Sequence, residues 1–335
     1  MEEYDYPPNV LMDTTNVCNA RCPFCPLFVG DAQFDRNVRP ATVMSLDLYE
    51  RLISEIASWP TRPYSLVHSP NGEILQDPKA CSRFEIIQRY GLSHLTTLLT
   101  NAQYLDERVS SSILENEIGQ LTIGFDGASK AVYEAHRVRC GYERVLANIR
   151  DFAANRDERG SKTKIWIKYV RTPRNEHEVT SAFHLFSSFL DPKIDRFQDA
   201  LSVDWADGSS TDTGLYYRLK VTDRPRRNSC SYFDSALEIN ADGIVGACCW
   251  DYNLTVSDGG LGSALEMPLL EIWRGQKRLK LGRAHALDGG HLPEKCQSCI
   301  IMHEPMPIEP DLARIDGSFL ECTSDTSMIY RFGRN

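Results

Sequence analysis

The 335-residue sequence has no apolar run approaching the ~20 residues that a membrane span requires, and its start carries no signal segment. It is expected to need no membrane and to work in the cytoplasm. Basic charge is also short. Lys and Arg number 37 against 46 Asp and Glu, a formal net charge of -9, and no Lys/Arg-rich run is interleaved with aromatics. A nucleic-acid backbone is therefore a poor partner. Internal repeats and low-complexity tracts are missing too. With 42% hydrophobic and 25% charged residues, the chain can bury one large core plus a smaller one, which argues against disorder.

Cysteine is not lacking. Eleven cysteines in a chain expected in a reducing compartment make a poor disulfide framework, because a domain of this size is stable without staples. Metal or redox chemistry is the better reading.

Apolar, β-branched runs alternate with stretches of helical period. Strands are expected over 9–15, 64–69, 95–100, 121–125, 165–170 and 200–205, and helices near 45–58, 78–90, 105–118, 129–156 and 175–189. Ser45 with Asp47 in the first turn reads as a helix start. Six alternating units imply an α/β fold with a parallel sheet, doubly wound or curled into part of a (β/α) barrel. That unit is expected to end at residue 208, with "DGSSTDTG" (207–214) as linker. A cysteine-bearing second unit, 209–335, contains a hairpin turning at Asp242-Gly243 and a helix "LLEIWRGQKRL".

The loop "TTNVCNARCPFCPLF" follows the first strand, at the carboxyl end where such folds keep their chemistry, and spaces three thiols as Cys18-x3-Cys22-x2-Cys25. Structural zinc wants four ligands, so a zinc knuckle would be one short. Three thiolates can instead hold three irons of a 4Fe-4S cube and leave the fourth iron open.

This loop resembles the mark of the radical S-adenosylmethionine (SAM) superfamily. The resemblance implies a partial (β/α)6 TIM barrel in which the open iron binds SAM. An electron from the cluster then cleaves SAM to methionine and a 5'-deoxyadenosyl radical, which takes a hydrogen atom from substrate. Phe24 stands where the family contacts adenine. "SPNGEIL" resembles the glycine-glutamate motif, making Asn71, Gly72 and Glu73 the implied hosts of the methionine ammonium, a cation that suits oxygen acceptors. "LLTNAQYL" resembles the third-strand segment and brings in Asn101. "IGFDGASKAVYEAHRVRCGYERVLANI" resembles the fourth, bringing in Asp126 and Arg137. Two departures stand out: Gly124 replaces a common cofactor-binding serine, and Cys140 a common glycine.

The second unit carries Cys230-x12-Gly243-x4-Cys248 and, further on, Cys296-x2-Cys299. Alone this pattern also reads as a four-cysteine zinc ribbon. Beside the first motif it resembles the SPASM or twitch extension, a C-terminal iron-sulfur domain whose four cysteines fully ligate an auxiliary 4Fe-4S cluster. No later run supplies a second auxiliary cluster. The implied cofactors are two 4Fe-4S clusters and SAM, and the implied electron donor is of flavodoxin or ferredoxin type.

Of the four remaining cysteines, Cys81, Cys140, Cys249 and Cys322, any one is ordinarily a small buried hydrophobe. Cys140 is expected first, and Cys249 second, as a thiol returning a hydrogen atom to a substrate radical. Seventeen residues before Cys18 leave no room for an amino-terminal peptide-binding domain, which favours a small molecule. The expected activity is epimerisation of a sugar carbon in a natural-product oligosaccharide or aminoglycoside. Dehydrogenation of a sugar or aminocyclitol alcohol and peptide modification are the alternatives. Asp126, Arg137, Arg139, Lys168, Asp204 and Trp205 are expected near the strand ends, where they could grip a hydroxylated ring.

Overall fold

A computed structural model describes residues 4–25, 39–202, 215–217, 221–225, 230–286, 292–297, 299, 303–305, 315, 319–324 and 327–332. The chain runs β1 (Asn9–Met12), α1 (Leu46–Ser58), β2 (Ser65–His68), α2 (Ala80–Arg89), β3 (Thr96–Thr100), α3 (Glu107–Glu115), β4 (Gln120–Gly124), α4 (Lys130–His136), α5 (Tyr142–Glu158), β5 (Lys164–Arg171), α6 (Val179–Ser187) and β6 (Arg196–Leu201). It continues through β7 (Val221–Pro225), α7 (Ser231–Ser235), β8 (Ala236–Ile239), β9 (Ile244–Gly246), β10 (Gly262–Ser263), α8 (Leu269–Trp273), α9 (Gln276–Ala286), α10 (Glu294–Gln297), β11 (His303–Pro305), β12 (Phe319–Ser324) and β13 (Ser327–Arg331).

Strands β1 to β6 pair in sequence order and all in parallel, as in a partial TIM barrel. The helices that cross between them are set by local chemistry. Ser45 caps α1 by accepting from the Leu48 N–H at 3.2 Å, and Leu48, Tyr49, Leu52, Ile53 and Ile56 recur at helical spacing as its buried face. Along β1, β2, β3, β5 and β6, burial alternates. Val10, Leu66, Leu98, Ile165 and Phe197 belong to the core, and the Phe197 ring meets Phe183 of α6 edge-on at 5.7 Å. The opposite face, with Leu11, Val67, Lys168 and Gln198, lines the concave lumen.

The second unit extends this sheet at both edges. Its order is β10-β9-β8-β1-β2-β3-β4-β5-β6-β13-β12, with β8 parallel to β1 and β13 antiparallel to β6, while β7 and β11 form a separate pair. The expected hairpin is β8–β9, and Gly243 at its turn has φ +83°.

Three expectations are corrected. The sixth strand is 196–201 rather than 200–205, because buried Asp199 pairs with Arg171 and so lets a polar segment join the sheet. The expected helix 129–156 is two helices, α4 and α5. They are parted at Arg139, whose φ is +72°, and the intervening segment is held by Arg21 N–H to Val138 O and Gly141 N–H to Gln103 Oε1, each 2.9 Å. The segment "LLEIWRGQKRL" likewise spans α8 and the start of α9. The expected linker 207–214 lies outside the described residues, as do Asp204 and Trp205.

Candidate active site

The loop after β1 is clamped from two sides. On one, Thr15 bridges to Val43, Asn16 Nδ2 donates to Pro40 O at 2.8 Å and Thr42 N–H donates to Asn16 Oδ1 at 2.9 Å. On the other lies the segment after β2. There the Asn71 N–H donates to Asp13 Oδ1 at 2.8 Å and the Glu73 N–H to Val17 O at 2.9 Å. Gly72 approaches so closely that a Cβ would overlap Thr15 O, which only glycine permits. The Glu73 carboxylate, 1% exposed, accepts from Leu75 N–H at 3.0 Å, Thr100 Oγ1 at 2.6 Å and Asn101 N–H at 2.7 Å. Thus Asn71, Gly72 and Glu73 brace the cysteine loop against β3, whatever they also bind.

Within the loop, Cys25 N–H donates to Cys22 O at 3.0 Å, and Cys18 lies in the electrostatic field of Cys22 and Cys25. Burial pushes the Cys18 thiol up, and Glu73 adds to it; burial also raises Cys22, against the pull of Arg137. Asn101 Nδ2 donates to Asn19 Oδ1 at 2.9 Å and lies 3.8 Å from Cys18 Sγ. Among the described residues no three Cys, His, Asp or Glu side chains converge as the ligands of a single ion do. Thiolates of a cube each bind a different iron and so stand apart. The loop brings together three thiols without a fourth, which fits a cube with one open iron better than a structural zinc, since that wants four ligands.

Arg137 organises the wall beside the loop. Its Nε donates to Asp126 Oδ2, its Nη1 lies 4.0 Å from Cys22 Sγ, and its guanidinium sits 5.5 Å over the Phe24 ring. Asp126 is fully buried and accepts the Val170 N–H at 2.7 Å through its other oxygen. A Cβ on Gly124 would overlap the Arg137 guanidinium. The glycine standing where the family often has serine thus clears the space that this arginine occupies. Cys140, 3% exposed, lies 3.6 Å from Asn19 Nδ2 of the cysteine loop, and burial pushes its thiol up to about 12.

The second cysteine group gathers around the β8–β9 hairpin, which adjoins β1 in the sheet. Cys230 and Cys299 are buried with Phe233 and Ala247, and Cys296 packs against them. Cys248 feels Cys230 across the nest, and His285 Nε2 lies 3.4 Å from Cys296 Sγ. Next along the chain, Cys249 is half-buried; after burial itself, its strongest neighbours are the Glu238 carboxyl and the Lys168 ammonium. Lys168 pairs in register with Gly124 and Gln198 and so faces the lumen. Burial and Arg137 lower its pKa. Cys81 lies on α2, 3.3 Å from Arg108 Nη1, and Cys322 lies on β12. Sequence reasoning missed Asn19, Glu238 and His285. For Glu238 one signal existed, a lone charge in the otherwise apolar strand "ALEI".

Residues 12–172 match the model of the radical SAM superfamily, and residues 230–300 match SPASM, an iron-sulfur cluster-binding domain. The chain belongs to the radical SAM superfamily. Its solved structural neighbours include BtrN in complex with AdoMet and 2-DOIA (15% identity, TM-score 0.53, 85% of this chain and 89% of that one). Streptococcus suis SuiB bound to precursor peptide SuiA is another (14%, 0.65, 90% and 71%), as is native anSMEcpe with bound AdoMet (14%, 0.61, 88% and 88%). At such identities the likeness is one of fold. No curated protein matches the sequence. The two domains of this radical SAM protein carry SAM and 4Fe-4S clusters as cofactors. No helix among the described residues is long and apolar enough to cross a membrane.

Proposed function

We propose that this radical SAM protein is an epimerase that inverts a carbon of a sugar in a natural-product oligosaccharide or aminoglycoside. Cys18, Cys22 and Cys25 would hold the SAM-binding cluster, and Cys230, Cys248, Cys296 and Cys299 one auxiliary cluster. Phe24, Asn71, Gly72, Glu73, Asn101, Asp126 and Arg137 would surround SAM. When bound, SAM and its cluster supply the 5'-deoxyadenosyl radical that abstracts the substrate hydrogen. The electron donor would be a flavodoxin or ferredoxin, and the setting the cytoplasm.

One observation carries the reading: the Cys249 thiol lies in the field of two lumen residues, Glu238 and Lys168, directly beside a cysteine of the auxiliary group. A thiol there can hand its S–H hydrogen atom to a substrate radical from one face, the resulting thiyl being returned to thiol by one electron from the adjacent auxiliary cluster and one proton, while the residues of the cysteine loop would position the abstracting group on the other. Cys140, expected first, is 3% exposed and held by the Asn19 amide, whereas Cys249 is half-buried. We therefore place Cys249 ahead of it as donor. Lys168 supports a second reading. An amine held below its usual range by burial can take a hydroxyl proton, as a dehydrogenase of a secondary alcohol requires.

Reaction in deuterium oxide with a panel of aminoglycosides separates the two. The epimerase places one deuterium on an inverted carbon, and Cys249→Ala still forms 5'-deoxyadenosine but no inverted product. A ketone two hydrogens lighter than substrate would establish the dehydrogenase instead.

A further inference from the structure

Glu238 is a carboxylate that the folding of the second unit carries into the barrel. The parallel register of β8 with β1 sets Leu237, Glu238 and Ile239 opposite Val10, Leu11 and Met12. Paired residues share a face, so Glu238 points with Leu11 into the lumen while Leu237 and Ile239 join the core behind the sheet. Glu238 is 2% exposed. Its Oε1 accepts from Asn71 Nδ2 at 3.3 Å, and its Oε2 has no hydrogen-bond partner among the described residues.

A second buried carboxyl stands next to it. Asp13, just past the end of β1 and 1% exposed, accepts the Asn71 backbone N–H, so a single asparagine donates to both acids. Arg39 is the cation that both acids feel, but its guanidinium is already engaged by Asp242, at 3.1 Å, and by Tyr252 O. A buried acceptor left unmet destabilises the fold unless a ligand supplies the missing donor. Two buried carboxyls beside one engaged guanidinium leave this corner of the lumen a cation short.

We propose that Asp13 and Glu238 bind an ammonium group of the substrate, which narrows the substrate class to amine-bearing carbohydrates such as amino sugars and aminocyclitols. The inference rests on the carbohydrate reading above. An ammonium brings three donors and no acceptor, the complement of Oε2 and its neighbour. Burial holds both acids above the usual carboxylate range, Asp13 at about 7, and an arriving cation reverses that shift. Because Glu238 is the charged group that Cys249 feels most, an amine seated on it sets the attached ring on the Cys249 side of the lumen.

The test is calorimetric titration of the reconstituted, SAM-loaded holoenzyme, without reductant, using neamine and per-N-acetylated neamine, which keeps the rings and removes the charges. Neamine should bind at least about tenfold more tightly. Glu238→Gln, which preserves the contact to Asn71, should abolish that preference and leave affinity for SAM unchanged. Asp13→Asn is the second variant, with the same expectation should the first fail to fold. Equal binding of the two sugars by the wild type, or an undiminished preference in the variants, overturns the inference alone. Loss of SAM affinity in Glu238→Gln with neamine affinity intact would assign the pair to the cofactor and also overturn it. A wild type that binds neither sugar overturns the carbohydrate reading together with the inference.

Discussion

At the scale of single residues, Gly124 and Arg137 show how a departure from a family pattern acquires a cause. The sequence shows a glycine in place of a common serine, and nothing in its neighbours says why. The cause is tertiary: Arg137, thirteen positions on, folds its guanidinium over the inward face of Gly124 while tied to Asp126. Because the overlapping atoms are the end of a long side chain, Gly124→Ser should fold with little loss of stability. It should nonetheless displace Arg137 from Phe24 and Cys22. If Arg137 helps to hold SAM, equilibrium dialysis of the reconstituted variant should show SAM affinity reduced about tenfold, the scale of one charge-assisted hydrogen bond. Unchanged affinity would remove Arg137 from the cofactor site. Glu238 illustrates the opposite limit of reading. Its lone charge was visible, but whether it met solvent or lumen depended on a strand pairing made across more than two hundred residues.

At the scale of elements, the first five parallel strands and the hairpin were legible because each is a short, largely apolar run bounded by turn chemistry. The misreadings occurred where long-range contacts override local pattern. Residues 137–141 continue a helical period and contain one glycine, yet side-chain and backbone bonds to the cysteine loop and to Gln103 force a break there. The sixth strand carries Arg196, Gln198 and Asp199, which β propensity disfavours, while the more β-like "LSVDW" begins only at its end. The β8–β9 hairpin matters most for function, since it presents Glu238 and leads into Cys248 and Cys249. Its turn depends on Gly243. At φ +83° any Cβ is strained, and it would also lie 3.3 Å from Leu48 and Leu265. Gly243→Ala should therefore cost about 1–2 kcal/mol, seen as a lower thermal midpoint, and reduce iron retained in the second cysteine group. A variant with the wild-type midpoint would show that the turn relaxes without strain.

At the scale of the whole molecule, the two cysteine groups were legible as spacings, but their joint dependence on one sheet was not. The first loop leaves β1, and the second group hangs on β8, β1's immediate parallel neighbour, while β13 closes onto β6 at the far edge. No spacing in the sequence announces a parallel pairing between a first strand and an eighth. Its consequence is that metal loss at either group should be felt by the common sheet. Anaerobic reconstitution should give about eight irons per chain. The Cys18/Cys22/Cys25 triple-alanine variant and a Cys296/Cys299 double-alanine variant should each retain about four. Calorimetry of each variant should then show one cooperative transition at a lower temperature than the loaded wild type, because ligands bound to the folded state stabilise it and the edge strands unfold with the barrel. Two separate transitions, with only one displaced by each variant, would show that the units fold independently despite the shared sheet. Stoichiometric zinc without iron uptake would displace the two-cluster assignment itself.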